Sequence, residues 1–259
     1  MKLVGIVGSN SNHSYNRMLL QYIQTRYADR FELELLEIKE VPMFNVSQDQ
    51  SDHPTLLYFN QAIKEADGVV IATPEHLYTI PTALKSTLEW LSYRLRPFLN
   101  KPVYVIGASY QDQGTSTAQL HLRQIMQAPG LNAYVLPGNE FLLGLAQEKF
   151  DQKGELINAK SIELLDQGLA KFLRFVQIIK AIEVDEGRLA AILEEVEDPS
   201  AGDEWWLYFV SFWAILRAFC VLAKCNLAVW LRTSWPCSAT KRAANWSTGG
   251  LAPEGKRTW

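Results

Sequence analysis

Five short β-rich runs, each followed by a helical stretch, restrict the first 182 residues more than any other feature of this chain. LVGIV (3–7), FELELLEI (31–38), GVVIAT (68–73), PVYVIGA (102–108) and NAYVLP (132–137) read as strands. The first, third and fourth are near-continuous apolar runs, the pattern of strands covered by helices on both faces. Helical spacing recurs between the runs. After Pro81 it places Leu84, Leu88, Leu91 and Leu95 on one stripe. In a helix predicted over about 158–181 it aligns Ile162, Leu165, Leu169, Phe172, Val176 and Ile179. Strand then helix, repeated, requires parallel strands joined by right-handed crossovers. The expected fold is α/β, three-layered and doubly wound.

The composition changes near residue 183, which sets two expected segments, 1–182 and 183–259. Seven of the eight tryptophans and all three cysteines (Cys220, Cys225, Cys237) lie at or after residue 205. The stretch WWLYFVSFWAILRAFCVLAKCNLAVWL (205–231) is strongly apolar, but Arg217 and Lys224 interrupt it. A membrane helix needs roughly 20 apolar residues with few charges, so membrane contact through 205–231 is not the favoured reading. A partner-binding helix and a segment without an evolved fold stand beside it, and the ending from residue 233 on reads as disordered. The amino terminus carries only a five-residue apolar run, too short for the core of an export signal. The cysteine spacing suits neither a disulfide framework nor a zinc site. A cytoplasmic location is expected. A net charge of -3 gives no electrostatic reason for nucleic acid as partner.

Two loops carry the chemistry. After the first strand comes GSNSNHSYNRMLLQYI (8–23), in which hydroxyl and amide side chains crowd a turn before an amphipathic helix begins near Tyr15. Backbone N–H groups at that helix start, with Ser9, Ser11, Ser14 and Asn16, suit a phosphate, helped by the helix dipole. No GK[ST] follows and only Gly8 is present, so this is neither a P-loop nor a dinucleotide turn. Taken alone, a serine-capped helix that binds nothing is as good a reading. After the third strand comes TPEHLYTIPTALKSTLEWLS (73–92). Its two prolines, Pro74 and Pro81, fix a rigid loop at a strand's carboxyl end, where open α/β sheets bind ligands. Thr79 is the expected helix cap, with Pro81 in the first turn.

GSNSNHSYN resembles the GSxRxxSxN loop of the NADPH-dependent FMN reductases, and the second loop resembles that family's PEYNxSxPxxLKNxxDW signature. Pro74, Glu75, Pro81, Leu84, Lys85 and Trp90 match, and Glu89 stands for the aspartate. The resemblance runs through 107–126 to about residue 180, roughly 70% of the chain. The wording is also similar to the reductase domain of multi-flavin fumarate-reductase-like proteins. Ser11 departs from the family's arginine, a charge that His13 or Arg17 would have to replace; His76 and Leu77 replace its Tyr-Asn pair.

The resemblance implies a flavodoxin-like, five-stranded sheet of order 2-1-3-4-5. It implies FMN as cofactor, with NADPH or NADH as substrate, and a quinone, azo, flavin or metal acceptor. A homodimer or homotetramer goes with it. FMN would be held by Ser9, Ser11, Ser14, Tyr15 and Asn16 at the phosphate. Pro74, Glu75, His76, Leu77 and Tyr78 would lie along the ring edge, with Ser109 and Tyr110 in a third loop. Hydride transfer to flavin needs no protein proton donor, so no catalytic side chain is assigned. The competing reading is a flavodoxin-like electron-transfer or docking module without turnover of its own. Glu75 with Lys85 reads as a surface ion pair, and Trp90, Tyr58 and Phe59 as core or interface aromatics. His53, beside Asp49 and Asp52, reads as a polar loop residue rather than a metal ligand.

Overall fold

The computed structural model describes residues 1–138 and 140–196. Six strands and six α-helices follow in the order β1 (Lys2–Val7), α1 (Tyr15–Arg26), β2 (Glu32–Glu37), α2 (Pro54–Glu65), β3 (Gly68–Ala72), α3 (Thr82–Trp90), β4 (Pro102–Ala108), α4 (Ser116–Met126), β5 (Tyr134–Val135), β6 (Phe141–Leu143), α5 (Ala146–Lys149) and α6 (Ala159–Val196). The sheet is parallel in the order β2-β1-β3-β4-β5, with β6 also paired to β4. The expected doubly wound, flavodoxin-like order is therefore present.

Period-two alternation sends the strand side chains into two separate cores. Leu3, Val7, Val70 and Tyr104 join residues of α1 and α6, including Leu20, Ile23, Phe172 and Val176. Val4, Ile6, Ile71 and Val105 join α2, α3 and α4 through Phe59, Leu84, Leu88 and Leu122. Phe59 and Trp90 are core residues, as expected, and the Trp90 indole donates to Pro42 O at 2.9 Å. Tyr58 is not in the core; it is exposed and bonded to Glu34.

Three local differences from the expected elements have physical causes. The fifth strand is two short pieces: β5 pairs with Pro102 and Val103, and β6 pairs with Ile106 to Ala108. Asn132 and Gly138 take positive φ, and Pro137 cannot donate to a ladder, so the run 132–137 extends over two residues only. Thr79 is not the cap of α3; Pro81, at φ −59° and ψ 145°, occupies that position with no side-chain bond. The last helix does not stop near 181 but continues to Val196, since no proline interrupts the sequence before Pro199.

Among the described residues no helix is long and apolar enough to cross a membrane. The apolar stretch 205–231, the aromatic-rich ending and the cysteines lie outside the described residues. The sheet lies within a compact unit that spans Met1–Gly187.

Candidate functional site

Three loops meet at the carboxyl ends of β1, β3 and β4 because glycines let their backbones touch. Gly8 N donates to Ala72 O at 2.8 Å, and a Cβ at Gly8 would lie 2.6 Å from that oxygen. A Cβ at Gly107 would lie 1.9 Å from Thr115 Oγ1 and 2.5 Å from Thr73 O. These approaches bring the loop after β1, the loop after β3 and the loop after β4 to one crevice.

The first loop is curled on itself. The buried Ser9 accepts the Ser11 N–H at 3.2 Å, and Ser11 Oγ donates to His13 O at 2.9 Å. Ser14, in extended conformation, caps α1 by accepting from Arg17 N at 3.3 Å. The N–H groups of Tyr15 and Asn16 open the helix, where no intrahelical acceptor precedes them. The Asn16 carboxamide is committed elsewhere: it donates to Ala108 O and accepts from Ala108 N, both at 2.9 Å and both buried. Asn16 therefore ties the first loop to the end of β4.

Arg17 does not fill the vacant arginine position as a free cation. Its guanidinium grips Glu37 through Nε (2.6 Å) and Nη2 (2.7 Å), and Nη1 reaches Ser11 O and Asn12 O at 2.8 and 3.1 Å. The Glu37 bond holds the Arg17 pKa above its ordinary value, against the effect of partial burial. Lys39 adds a 2.8 Å bond to Asn12 Oδ1. The side chains of Asn12, Arg17, Glu37, Lys39 and Glu40 line a cleft of about 340 Å³ behind the loop. Glu37 and Lys39 were not legible as part of this bracing; the charged end of a strand carries no sign of what it will hold.

The second loop is a tight hairpin. His76 N donates to Thr79 O at 2.9 Å and Thr79 N to His76 O at 3.0 Å. The two residues between them, Leu77 (φ 49°) and Tyr78 (φ 61°), are both left-handed. Such turns favour Asn and Gly, so a Leu-Tyr pair is strained. Both side chains face solvent, at 95% and 71% exposure, with the exposed His76 beside them. Glu75 does not pair with Lys85, which binds Glu89 at 2.6 Å. Its carboxylate instead accepts the N–H groups of Thr117 and Ala118 at the start of α4.

The third loop is braced from β6 and α5. Ser109 N donates to Leu143 O, Ala146 N to Ser109 O, and Leu145 N to Gln111 O. Ser109 Oγ accepts from Gln111 N at 3.1 Å. Tyr110 meets the edge of Tyr15, with centroids 5.0 Å apart, and Tyr15 stacks on Phe150 at 5.8 Å. Burial pushes the Tyr15 phenol above its ordinary pKa, and neighbouring Tyr110 adds to the effect. These rings, with His13, Ser14 and Met18, line a second cleft of about 330 Å³. His53 caps α2, accepting from Thr55 N at 3.3 Å.

The site combines the N–H groups of a helix start on the first loop with an exposed, strained hairpin on the second. A sequence profile described as NADPH-dependent FMN reductase matches residues 1–148. The NADH:(hydroxy)cinnamate reductase subunit CrdA of Vibrio ruber is 42% identical over 179 residues, 69% of this chain and 89% of that protein. The NADH-dependent flavin reductase subunit 2 of Lactobacillus johnsonii is 41% identical over 182 residues, 68% of this chain and 98% of that protein. Among solved structures, FerB, a flavoenzyme NAD(P)H:(acceptor) oxidoreductase of Paracoccus denitrificans, superposes with a TM-score of 0.59 at 24% identity. That match covers 68% of this chain and 97% of FerB, and it concerns the fold.

Proposed function

This chain belongs to the NADPH-dependent FMN reductase family, and on that premise we propose that the three-loop crevice is its FMN site. The chain is an FMN-dependent NAD(P)H oxidoreductase. FMN bound there would supply the redox chemistry between a nicotinamide hydride donor and a small-molecule acceptor of hydride or electrons, such as a quinone, azo compound, flavin or metal ion. The protein's part is binding and orientation. The single observation that carries the placement is the convergence of a helix-start loop with a rigid, strained hairpin at the sheet's switch point between β1 and β3.

At the phosphate end, Ser9 and the N–H groups of the α1 start are the donors, and the helix dipole favours the charge. Ser9 Oγ accepts from Ser11 N, which leaves its hydroxyl proton for a phosphate oxygen. Ser11 has already given its own proton to His13 O. At the ring end, the hairpin 76–79 offers backbone groups held in place by Pro74, Pro81 and the His76–Thr79 pair. Donors that need no reorganisation stabilise the negative charge of a reduced flavin. Exposed Leu77, Tyr78 and Tyr110 give an apolar rim for a flat nicotinamide or acceptor.

Ser9→Ala is the specific test of the phosphate end. It is expected to weaken FMN by roughly 1.5–3 kcal/mol, the value of one charge-assisted hydrogen bond, and to leave riboflavin nearly unchanged. Fluorescence titration of both flavins reads the difference; equal loss for both would place the phosphate elsewhere. Asn16 is unsuited to this test because its carboxamide already holds Ala108.

The reductase domain in this reading is 1–182, where the α6 core stripe ends with Ile179. It works in the cytoplasm as a homodimer or homotetramer. A second reading is favoured by one observation: both relatives named above are called subunits. In that reading the chain passes electrons to a larger reductase and does not reduce a free acceptor by itself.

A further inference from the structure

We propose that Glu75 is a positioning residue that caps α4 from the hairpin loop and thereby holds the two loops flanking the crevice in one register. The proposal rests on the FMN reading above. Glu75 Oε2 accepts the Thr117 and Ala118 N–H groups at 3.0 Å each, across 42 and 43 residues of sequence. These are the second and third residues of α4, the positions a helix's own cap residue normally serves. Thr115, the residue before α4, makes no such bond; its hydroxyl accepts from Gln119 Nε2 at 3.1 Å. The capping function has passed to a carboxylate on another loop, whose charge is favourable at a helix amino terminus.

A second link runs in parallel. Thr79 Oγ1 lies 3.1 Å from His121 Nδ1, one turn further along α4. Glu75 precedes the hairpin and Thr79 closes it, so both ends of the hairpin are fastened to one helix. Between them sit Leu77 and Tyr78 in left-handed conformations, which persist only where the surroundings hold them. On the other side, α4 continues directly from the loop of Ser109 and Tyr110. Any shift of the α4 start would change the spacing between the hairpin and that loop. Lys85 takes no part, being bound to Glu89, so the Glu75 charge is met by backbone N–H groups.

The test compares full-length wild type with Glu75→Ala, Glu75→Gln and Thr79→Val, using two readouts: amide exchange at Thr117 and Ala118 in the FMN-free protein, and the FMN dissociation constant. Glu75→Gln keeps an oxygen for both N–H groups, so exchange and FMN affinity are expected to stay within about threefold of wild type. Glu75→Ala is expected to expose both amides and weaken FMN by about tenfold to a hundredfold, as misplaced binding groups do. Thr79→Val, which leaves the cap intact, is expected to weaken FMN less and to leave the two amides protected; if Glu75→Ala does not fold, Glu75→Asp, whose shorter side chain withdraws the carboxylate from α4, is expected to expose the same two amides. FMN binding by Glu75→Ala at wild-type strength overturns the proposal. So does a Glu75→Gln that binds FMN as weakly as Glu75→Ala while both amides stay protected, because the charge would then act on the ligand and not through the cap. A wild type that binds no FMN, with both amides exposed only in Glu75→Ala, overturns the flavin reading while the cap stands.

Discussion

Gly107→Ala is expected to destabilise the chain by about 3 kcal/mol, at the upper end of what overpacking costs. The added carbon would lie 1.9 Å from Thr115 Oγ1 and 2.5 Å from Thr73 O. Neither neighbour can yield cheaply. Thr115 is buried and bonded to Gln119, and Thr73 O is backbone at the end of β3, where Thr73 N is held by Ile106 O at 3.0 Å. Relief would have to separate the end of β3 from the start of α4, which is the spacing of the hairpin and the third loop. Urea unfolding should report the lost stability, and flavin titration a loss of FMN affinity in whatever protein remains folded. An unchanged urea midpoint would show that Thr115 can rotate away and that the close approach is not required.

Asn16→Ala should cost roughly 2–4 kcal/mol, because it strands two buried backbone groups at once. Ala108 N and Ala108 O are both buried and both bonded to the Asn16 carboxamide. No water replaces that amide without entering a packed region where Asn16 itself is 2% exposed. The substitution also unties α1 from β4, so FMN and riboflavin should weaken together. Ser9→Ala should separate them. Calorimetry with both flavins distinguishes the two residues; a selective loss of FMN in Asn16→Ala would mean that its side chain reaches the phosphate.

The doubly wound parallel sheet was legible because burial on both faces writes itself into apolar runs, as in GVVIA of β3 and PVYVIGA of β4, while its order came from the family resemblance. The short edge pieces were not: NAYVLP gives no sign that only Tyr134 and Val135 pair, and the three-residue β6 (Phe141–Leu143) is too brief to show a period. The two loops of the crevice were legible through serine, asparagine and proline, residues with fixed local chemistry. What each side chain touches was not. Asn16 and Ala108 are 92 residues apart, and Glu75 and Thr117 are 42 apart, so their bonds exist only once the layers have packed. The left-handed Leu77–Tyr78 pair was hidden for a different reason. Its sequence lacks the Gly or Asn that marks such turns, and tertiary bonds impose the conformation instead.

The central claim is that this chain moves hydride from nicotinamide through FMN held in the three-loop crevice. Anaerobic stopped-flow mixing of the FMN-loaded full-length chain with NADH, and separately with NADPH, tests it most directly. The oxidised flavin's absorbance is expected to fall rapidly with at least one nicotinamide and to return when a quinone is added. A chain that binds no FMN, or whose bound flavin stays oxidised with both nucleotides, would contradict it.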